Sequence, residues 1–350
     1  MQDYDFGRAK IKYRELCKTE PSINIYMQDW YLDAVTDENA DWKVVIYEED
    51  DVIYAAFPFQ YAKRHGLYYI TNPWQCARAG VWIRPKVYKS KLDELLHHKK
   101  IVDELLQKLP YYDVFRISFH SGFVNWQPFY WQGFSEQIYY SMIIKSEEKE
   151  YLPFISKKRR ERINRVKRAI MNPLIGEPLM TSKCEKTKAS TMGGYLVNTE
   201  ILSLDEYWSF LEKSYKSKQK ELSYSKKQFS ALFKELIIHD ACNMYSVVNS
   251  IGEIVAANII FKDGVRCYNQ FGSQIQGIDG DCQSFIAYKA INDALESSRI
   301  FDFEGSMIPG VCEFNASYNP VWEPYHVIYK YSKRYQALDA VRKLSKGFIG

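Results

Sequence analysis

The sequence predicts a mixed α/β protein built from two similar units in tandem. Its 350 residues suggest about two domains, at roughly 150 residues for each. A succession of three β-like runs, a helix and a further strand occurs twice along the chain. The content, 46 % hydrophobic and 16 % aromatic, is enough to give each unit its own core and excludes wholesale disorder.

The first copy begins with β-rich runs at 43–48 and 52–60, joined by the acidic turn Glu49-Asp50-Asp51 and followed by a third run at 67–71. Residues 91–109 then place Leu92, Leu95, Leu96, Val102, Leu105, Leu106 and Leu109 at helical spacing, before a strand at 113–119. The second copy has runs at 244–249 and 253–261 around Ser250-Ile251-Gly252, and a third at 265–271. Its helix, 283–297, carries Phe285, Ile286, Ala290, Ile291, Ala294 and Leu295 on one face and leads into a strand at 300–303. Even the central strands share a small-residue pair, Ala55-Ala56 and Ala256-Ala257.

Between the copies, 156–170 reads as a helix with a narrow apolar stripe of Ile163, Val166 and Ile170, ended by Asn172-Pro173. Residues 175–194 are rich in Pro, Ser, Thr, Lys and Gly and read as an exposed, mobile loop. A further helix opens at 204–211 and continues towards Tyr215, with Ser203 as N-cap and Glu206 three residues on. The expected partition is therefore 1–145, a basic linker of 146–194, and 195–350.

Charge is unevenly spread. The net value is +4, yet residues 157–168, KKRRERINRVKR, hold eight basic residues and one acid, and the remainder is left with 39 basic and 42 acidic residues, a net of −3. A dense positive strip on a mildly acidic body attracts phosphate, RNA or an anionic surface in a salt-dependent way. A solvated charge run packed on Ile163, Val166 and Ile170 is the plainer reading.

Several classes drop out. The opening residues MQDYDFGRAKIKYREL have no apolar core of secretory type. The uncharged stretch 118–135 contains His120, Asn125, Gln127, Pro128 and Gln132, so no transmembrane segment is expected and the protein is read as cytoplasmic. Seven scattered cysteines without a C-x-x-C pair suit a reducing compartment. No metal-ligand pattern is present, and His97-His98 point to different sides of a helix. G-x-S-x-G, Walker A and Rossmann patterns are missing too, against hydrolase, P-loop and dehydrogenase readings.

One segment is distinctive: Ile300-FDFEGSMIPGV-Cys312, followed by Phe314 and then Pro324-Tyr325-His326. It resembles the Fem-type peptidyltransferases and related GNAT-like acyltransferases. Residues 30–35 (WYLDAV), 128–134 (PFYWQGF), 156–160 (SKKRR) and Gln283-Ser284 extend the resemblance over nearly the whole chain. The family departs from this chain after the motif, where Phe314-Asn315-Ala316-Ser317-Tyr318-Asn319 replaces F-x-x-x-F-G-A. The resemblance implies an α/β (α+β) fold class: two tandem GNAT-like acyl-CoA N-acyltransferase folds, with mixed, mostly antiparallel sheets flanked by helices. It also implies transfer of an acyl or aminoacyl group to an amine acceptor, a small molecule or a cell-envelope precursor (peptidoglycan, polysaccharide or lipid). Acyl-CoA or aminoacyl-tRNA would be the donor substrate, with no cofactor permanently bound and tRNA as a partner. The alternative class is a non-catalytic nucleotide- or glycan-binding protein that keeps the fold.

Single-unit GNAT enzymes hold the CoA pyrophosphate with Q/R-x-x-G-x-G/A at a helix N-terminus. The corresponding stretch here keeps Gln274 and Gly277 but has Asp279 and Asp281, whose carboxylates repel a pyrophosphate. On a strand ending at Gly305, Asp302 and Glu304 would share one face. One could hold the acceptor ammonium while the other takes its proton. Alternatively both ion-pair with Arg299 or a linker cation and fix a domain contact. Ser306 could donate to a substrate oxygen or cap a turn. Tyr325 is a candidate proton donor to the leaving group and Lys330 a candidate oxyanion stabiliser. His326 reads as a partly buried strand residue. Arg159, Arg160 and Arg162 are candidate contacts to donor phosphate, and the aromatic run 119–134 is either core or the wall of an acceptor groove.

Overall fold

In a computed structural model, the structure describes residues 4–36, 39–145, 147, 150–170, 195–249, 251–278 and 281–347. The loop expected at 175–194, Cys184 and Asp279 lie outside the described residues.

The chain opens with helices α1 (Phe6–Thr19) and α2 (Asp29–Val35), then runs through β1 (Ala40–Glu49), β2 (Val52–Arg64), β3 (Leu67–Thr71) and β4 (Trp82–Ile83). Helix α3 (Lys91–Gln107), β5 (Val114–Ser118), α4 (Gln127–Trp131) and β6 (Ser135–Ile144) follow. The 91–107 helix forms where leucine spacing placed it, and Ser90 caps it by accepting from the Asp93 N–H. The opening helix was not read from the sequence, although Ala9, Tyr13 and Leu16 bury one face of it and Asp5 caps it.

Next come α5 (Lys157–Ala169), β7 (Leu196–Asn198), α6 (Leu204–Ser217) and α7 (Lys226–Ile238), then β8 (Cys242–Val248), β9 (Ile254–Lys262) and β10 (Arg266–Gln274). The chain closes with α8 (Cys282–Glu296), β11 (Ile300–Asp302), α9 (Pro309–Ala316), β12 (Val321–Tyr331) and α10 (Lys333–Gly347). Helix α6 begins with the reciprocal capping box expected from Ser203 and Glu206.

Two compact units result, 1–140 with 324–350, and 141–323. The partition expected from sequence, 1–145, 146–194 and 195–350, differs in where the chain end goes. The cause is β12, whose residues Val327 to Tyr331 pair antiparallel with Ser118 to Val114 of β5. In the first unit β1, β2 and β3 form the expected antiparallel meander, and β3 pairs parallel with β5. Val45, Phe57, Phe115, Ile117, Phe119, Phe129 and Ile328 fill its core. In the second, β7, β8, β9 and β10 are antiparallel neighbours, and β10 pairs parallel with β11. Ile163, Val166, Val255, Ile260, Ile286, Phe301 and Tyr318 belong to its core. The mixed, mostly antiparallel sheets flanked by helices are those of the tandem fold class expected.

Candidate functional site

The parallel pair β10–β11 defines a candidate site in the second unit. Arg266, Cys267 and Tyr268 face Ile300, Phe301 and Asp302 in register, and the ladder stops there. Beyond it β10 bulges between Gln270 and Ser273 before its pairing with β9 resumes at Ser273 and Ala257, with Phe271 in the left-handed region at φ 47°. The chain after β11 also turns sharply, with Glu304 at φ 65° and Gly305 at 69°. The carboxyl end of a parallel pair is the usual place for a ligand in α/β sheets. A glutamate held in left-handed backbone beside it is a strained position of the kind that functional sites retain.

The expectation that Asp302 and Glu304 share one face of a strand does not hold, because the strand ends at Asp302 and the backbone turns at Glu304. Asp302 is fully buried. Its Oδ1 accepts from Ser141 Oγ at 2.5 Å and from the Glu304 N–H at 2.8 Å. Its Oδ2 lies 3.1 Å from Arg266 Nη1. Arg266 in turn grips Glu323 with both terminal nitrogens, at 2.7 and 2.9 Å. The ion partner is thus Arg266 rather than Arg299, whose Nε donates to the Asp263 carbonyl. Glu304 is half-buried and accepts a hydrogen bond from Gln270 Nε2. Asp302 therefore shapes the turn through the Glu304 N–H, and Glu304 is the one of the two carboxylates that is partly open to solvent. Ser306 Oγ accepts from the Ile308 N–H at 3.1 Å, capping a turn.

The N-terminus of α8 is occupied by the protein's own acceptors. Asp281 Oδ1 takes the Ser284 N–H at 3.2 Å, and Gln274 Oε1 takes the Gln283 N–H at 3.0 Å. Gly277 sits in the connecting loop at φ 82°, with nothing near the position of an added Cβ. The Asp281 charge is met from α5, by Arg159 at 2.6 Å and Arg162 at 2.9 Å. Arg159 lies inside rather than in the exposed strip: it is 8 % exposed, donates to Ser317 Oγ and Ser284 Oγ, and stacks 4.4 Å from the Phe314 ring centroid. Arg160 donates to the Pro153 carbonyl at 3.0 Å. Of the three arginines named as phosphate contacts, each has a protein acceptor.

Tyr325 and Lys330 belong to the first unit. The Tyr325 ring stacks on Tyr139 at 6.0 Å, with the Arg78 guanidinium 5.4 Å from its centroid. Lys330 Nζ donates to the Gln132 carbonyl at 2.7 Å and lies 4.9 Å from the Phe134 ring centroid. His326 bonds Glu136 at 2.5 Å and the Val124 carbonyl at 3.0 Å. In the aromatic run, Phe119, Phe123, Phe129 and Phe134 are core.

Three groups escaped sequence reasoning. Arg266 and Gln270 sit on β10 in a pattern indistinguishable from any strand. Lys218 follows α6 and donates to Ser273 Oγ at 2.7 Å, beside the bulge. Burial pushes its ammonium pKa down, and Lys220 adds to the effect.

No family model matches the sequence, and no curated protein matches it. Solved structures do match in shape, and they show that the chain shares the fold of FemX and its structural relatives. The chain is similar to FemX, at 10 % identity and TM-score 0.59 over 91 % of this chain and 95 % of that one. It is also similar to L-PGS from Bacillus licheniformis, at 14 % identity and TM-score 0.53 over 93 % of each chain. A third likeness is to the C-terminal domain of a putative lysylphosphatidylglycerol synthetase from Agrobacterium fabrum, at 9 % identity and TM-score 0.53 over 95 % of each. Among the described residues, no helix is long and apolar enough to cross a membrane.

Proposed function

We propose that the chain transfers an acyl or aminoacyl group to an amine, with a cell-envelope precursor as acceptor. The observation that carries this reading is Glu304, a half-buried carboxylate in left-handed backbone at the carboxyl end of the β10–β11 pair. An ammonium must lose a proton before it can attack a carbonyl, and a carboxylate within reach supplies the base. Gln270 orients that carboxylate, and Asp302 holds the turn beneath it. The attacking nitrogen forms the new C–N bond as the donor's ester or thioester bond breaks; of the two protons the ammonium gives up, one passes through Glu304 to solvent and the other goes to the leaving oxygen or sulfur. No covalent enzyme intermediate is required, since alignment and polar contacts supply the acceleration.

The filled N-terminus of α8 favours aminoacyl-tRNA over acyl-CoA as donor. A pyrophosphate placed there would have to displace Asp281 and Gln274 from the Ser284 and Gln283 N–H groups. The test offers the purified chain charged tRNA and acyl-CoA in separate reactions with amine-bearing envelope precursors, and follows the labelled acyl group. Transfer from charged tRNA is expected. Transfer from acyl-CoA alone would refute the donor assignment, and transfer from neither would refute the enzyme reading in favour of a binding protein.

A further inference from the structure

The two ends of α9 carry a surface feature that the transfer chemistry does not use. Met307, Ile308, Pro309, Gly310 and Val311 are consecutive, uncharged and exposed. Met307 is 81 % and Ile308 64 % open to solvent. Adjacent large aliphatic side chains left in water mark an interaction surface more often than scattered ones do.

The far end of α9 joins the start of α5. The Ser156 N–H donates to the Ser317 carbonyl at 3.0 Å, and Arg159 Nε to Ser317 Oγ at 2.8 Å. Phe154 is exposed just before α5, beside Tyr151, whose hydroxyl donates to the Asn319 carbonyl. The eight residues of α9 span about 12 Å, so the apolar run and the start of the basic helix lie close together. Lys157, Lys158, Arg165 and Arg168 are exposed on α5, against exposed Glu161 there and Glu313 on α9. The buried Arg159 and the Asp281-bound Arg162 are held within the protein, so the outward charge is carried by these four together with the half-exposed Arg160, whose partner is the neutral Pro153 carbonyl.

Aliphatic side chains beside exposed cations match the boundary of an anionic bilayer, where acyl chains meet phosphate. A nucleic acid would engage the cations and leave Met307 and Ile308 in water. A symmetric contact between two copies would set like charges together. We infer that the second unit seats on an anionic lipid surface, with Met307, Ile308 and Val311 entering the acyl boundary and Lys157 and Lys158 meeting the headgroups. This contact is independent of the transfer reaction.

Co-sedimentation of the full chain with vesicles tests it, using phosphatidylcholine alone and phosphatidylcholine mixed with phosphatidylglycerol. Binding to the mixed vesicles, weakening with added salt, is expected, with little on phosphatidylcholine. Lys157→Ala with Lys158→Ala should weaken binding about thirtyfold and flatten its salt dependence. Met307→Ser with Ile308→Ser should weaken it at least about tenfold, with an unchanged melting temperature because both side chains are already exposed. Equal binding to both vesicle types would overturn the inference. So would unchanged binding of the serine variant, which would leave a purely electrostatic surface. Free tRNA binding that depends on Lys157 and Lys158, without vesicle binding, would assign the strip to RNA instead. Self-association lost in the serine variant, again without vesicle binding, would assign the apolar run to a second copy.

Discussion

Arg159 Nη1 lies 2.6 Å from Asp281 Oδ2, so a residue from the densest positive stretch of the chain is bound to the residue that caps α8. The contact fixes α5 against α8 and neutralises a carboxylate at the place where a phosphate would otherwise be drawn. Arg159→Ala leaves a partly buried Asp281 with Arg162 alone. We expect a loss of about 3 kcal/mol in urea unfolding, whereas Arg162→Ala, half-exposed, should cost under about 1 kcal/mol. Equal costs for the two would contradict the burial argument.

Glu304 and Asp302 should separate under substitution. Glu304→Gln keeps size and can still meet Gln270, so stability should stay within about 0.5 kcal/mol, while turnover falls by about 10²–10⁴. Asp302→Asn loosens the Arg266 contact and should cost about 2 kcal/mol, with turnover reduced through the altered turn. Undiminished turnover in Glu304→Gln would remove it as the base.

Asp113 contributes to the acid stability of the first unit. Burial alone would raise its pKa, but the Tyr68 N–H, the Ser332 and Tyr111 hydroxyls and the nearby Arg334 outweigh that and hold it below the ordinary aspartate value. A depressed folded pKa contributes stability that is complete above the unfolded value of about 3.9 and disappears as pH falls through the folded value. Asp113→Asn should therefore be less stable at neutral pH and show a shallower loss of stability below about pH 4. Parallel acid-unfolding curves for variant and parent would show that another group is responsible.

Lys330 tethers β12 to the segment after α4 through the Gln132 carbonyl and the Phe134 ring. Lys330→Met should cost about 1 kcal/mol in stability and leave kcat near the parent value. A fall in kcat of about 10² with stability intact would instead give the ammonium the oxyanion role expected from sequence.

Local chemistry in the sequence determined much of this molecule. Leucine spacing placed α3, serine and glutamate three residues apart placed the start of α6, and turn residues between β-rich runs revealed two copies of one meander. The motif around Asp302 and Glu304 pointed to the fold class, later matched by the shape of FemX. What only the tertiary structure decided depends on partners distant along the chain. The pairing of Val327 with Ser118 returns the chain end to the first unit, and no periodicity near residue 327 encodes it. The burial of Arg159 under Phe314, its bond to Asp281, and the grip of Arg266 on Asp302 and Glu323 are likewise long-range. Hydrophobic and capping signals are read within a turn or two, whereas a charge's role is set by which distant group removes it from water.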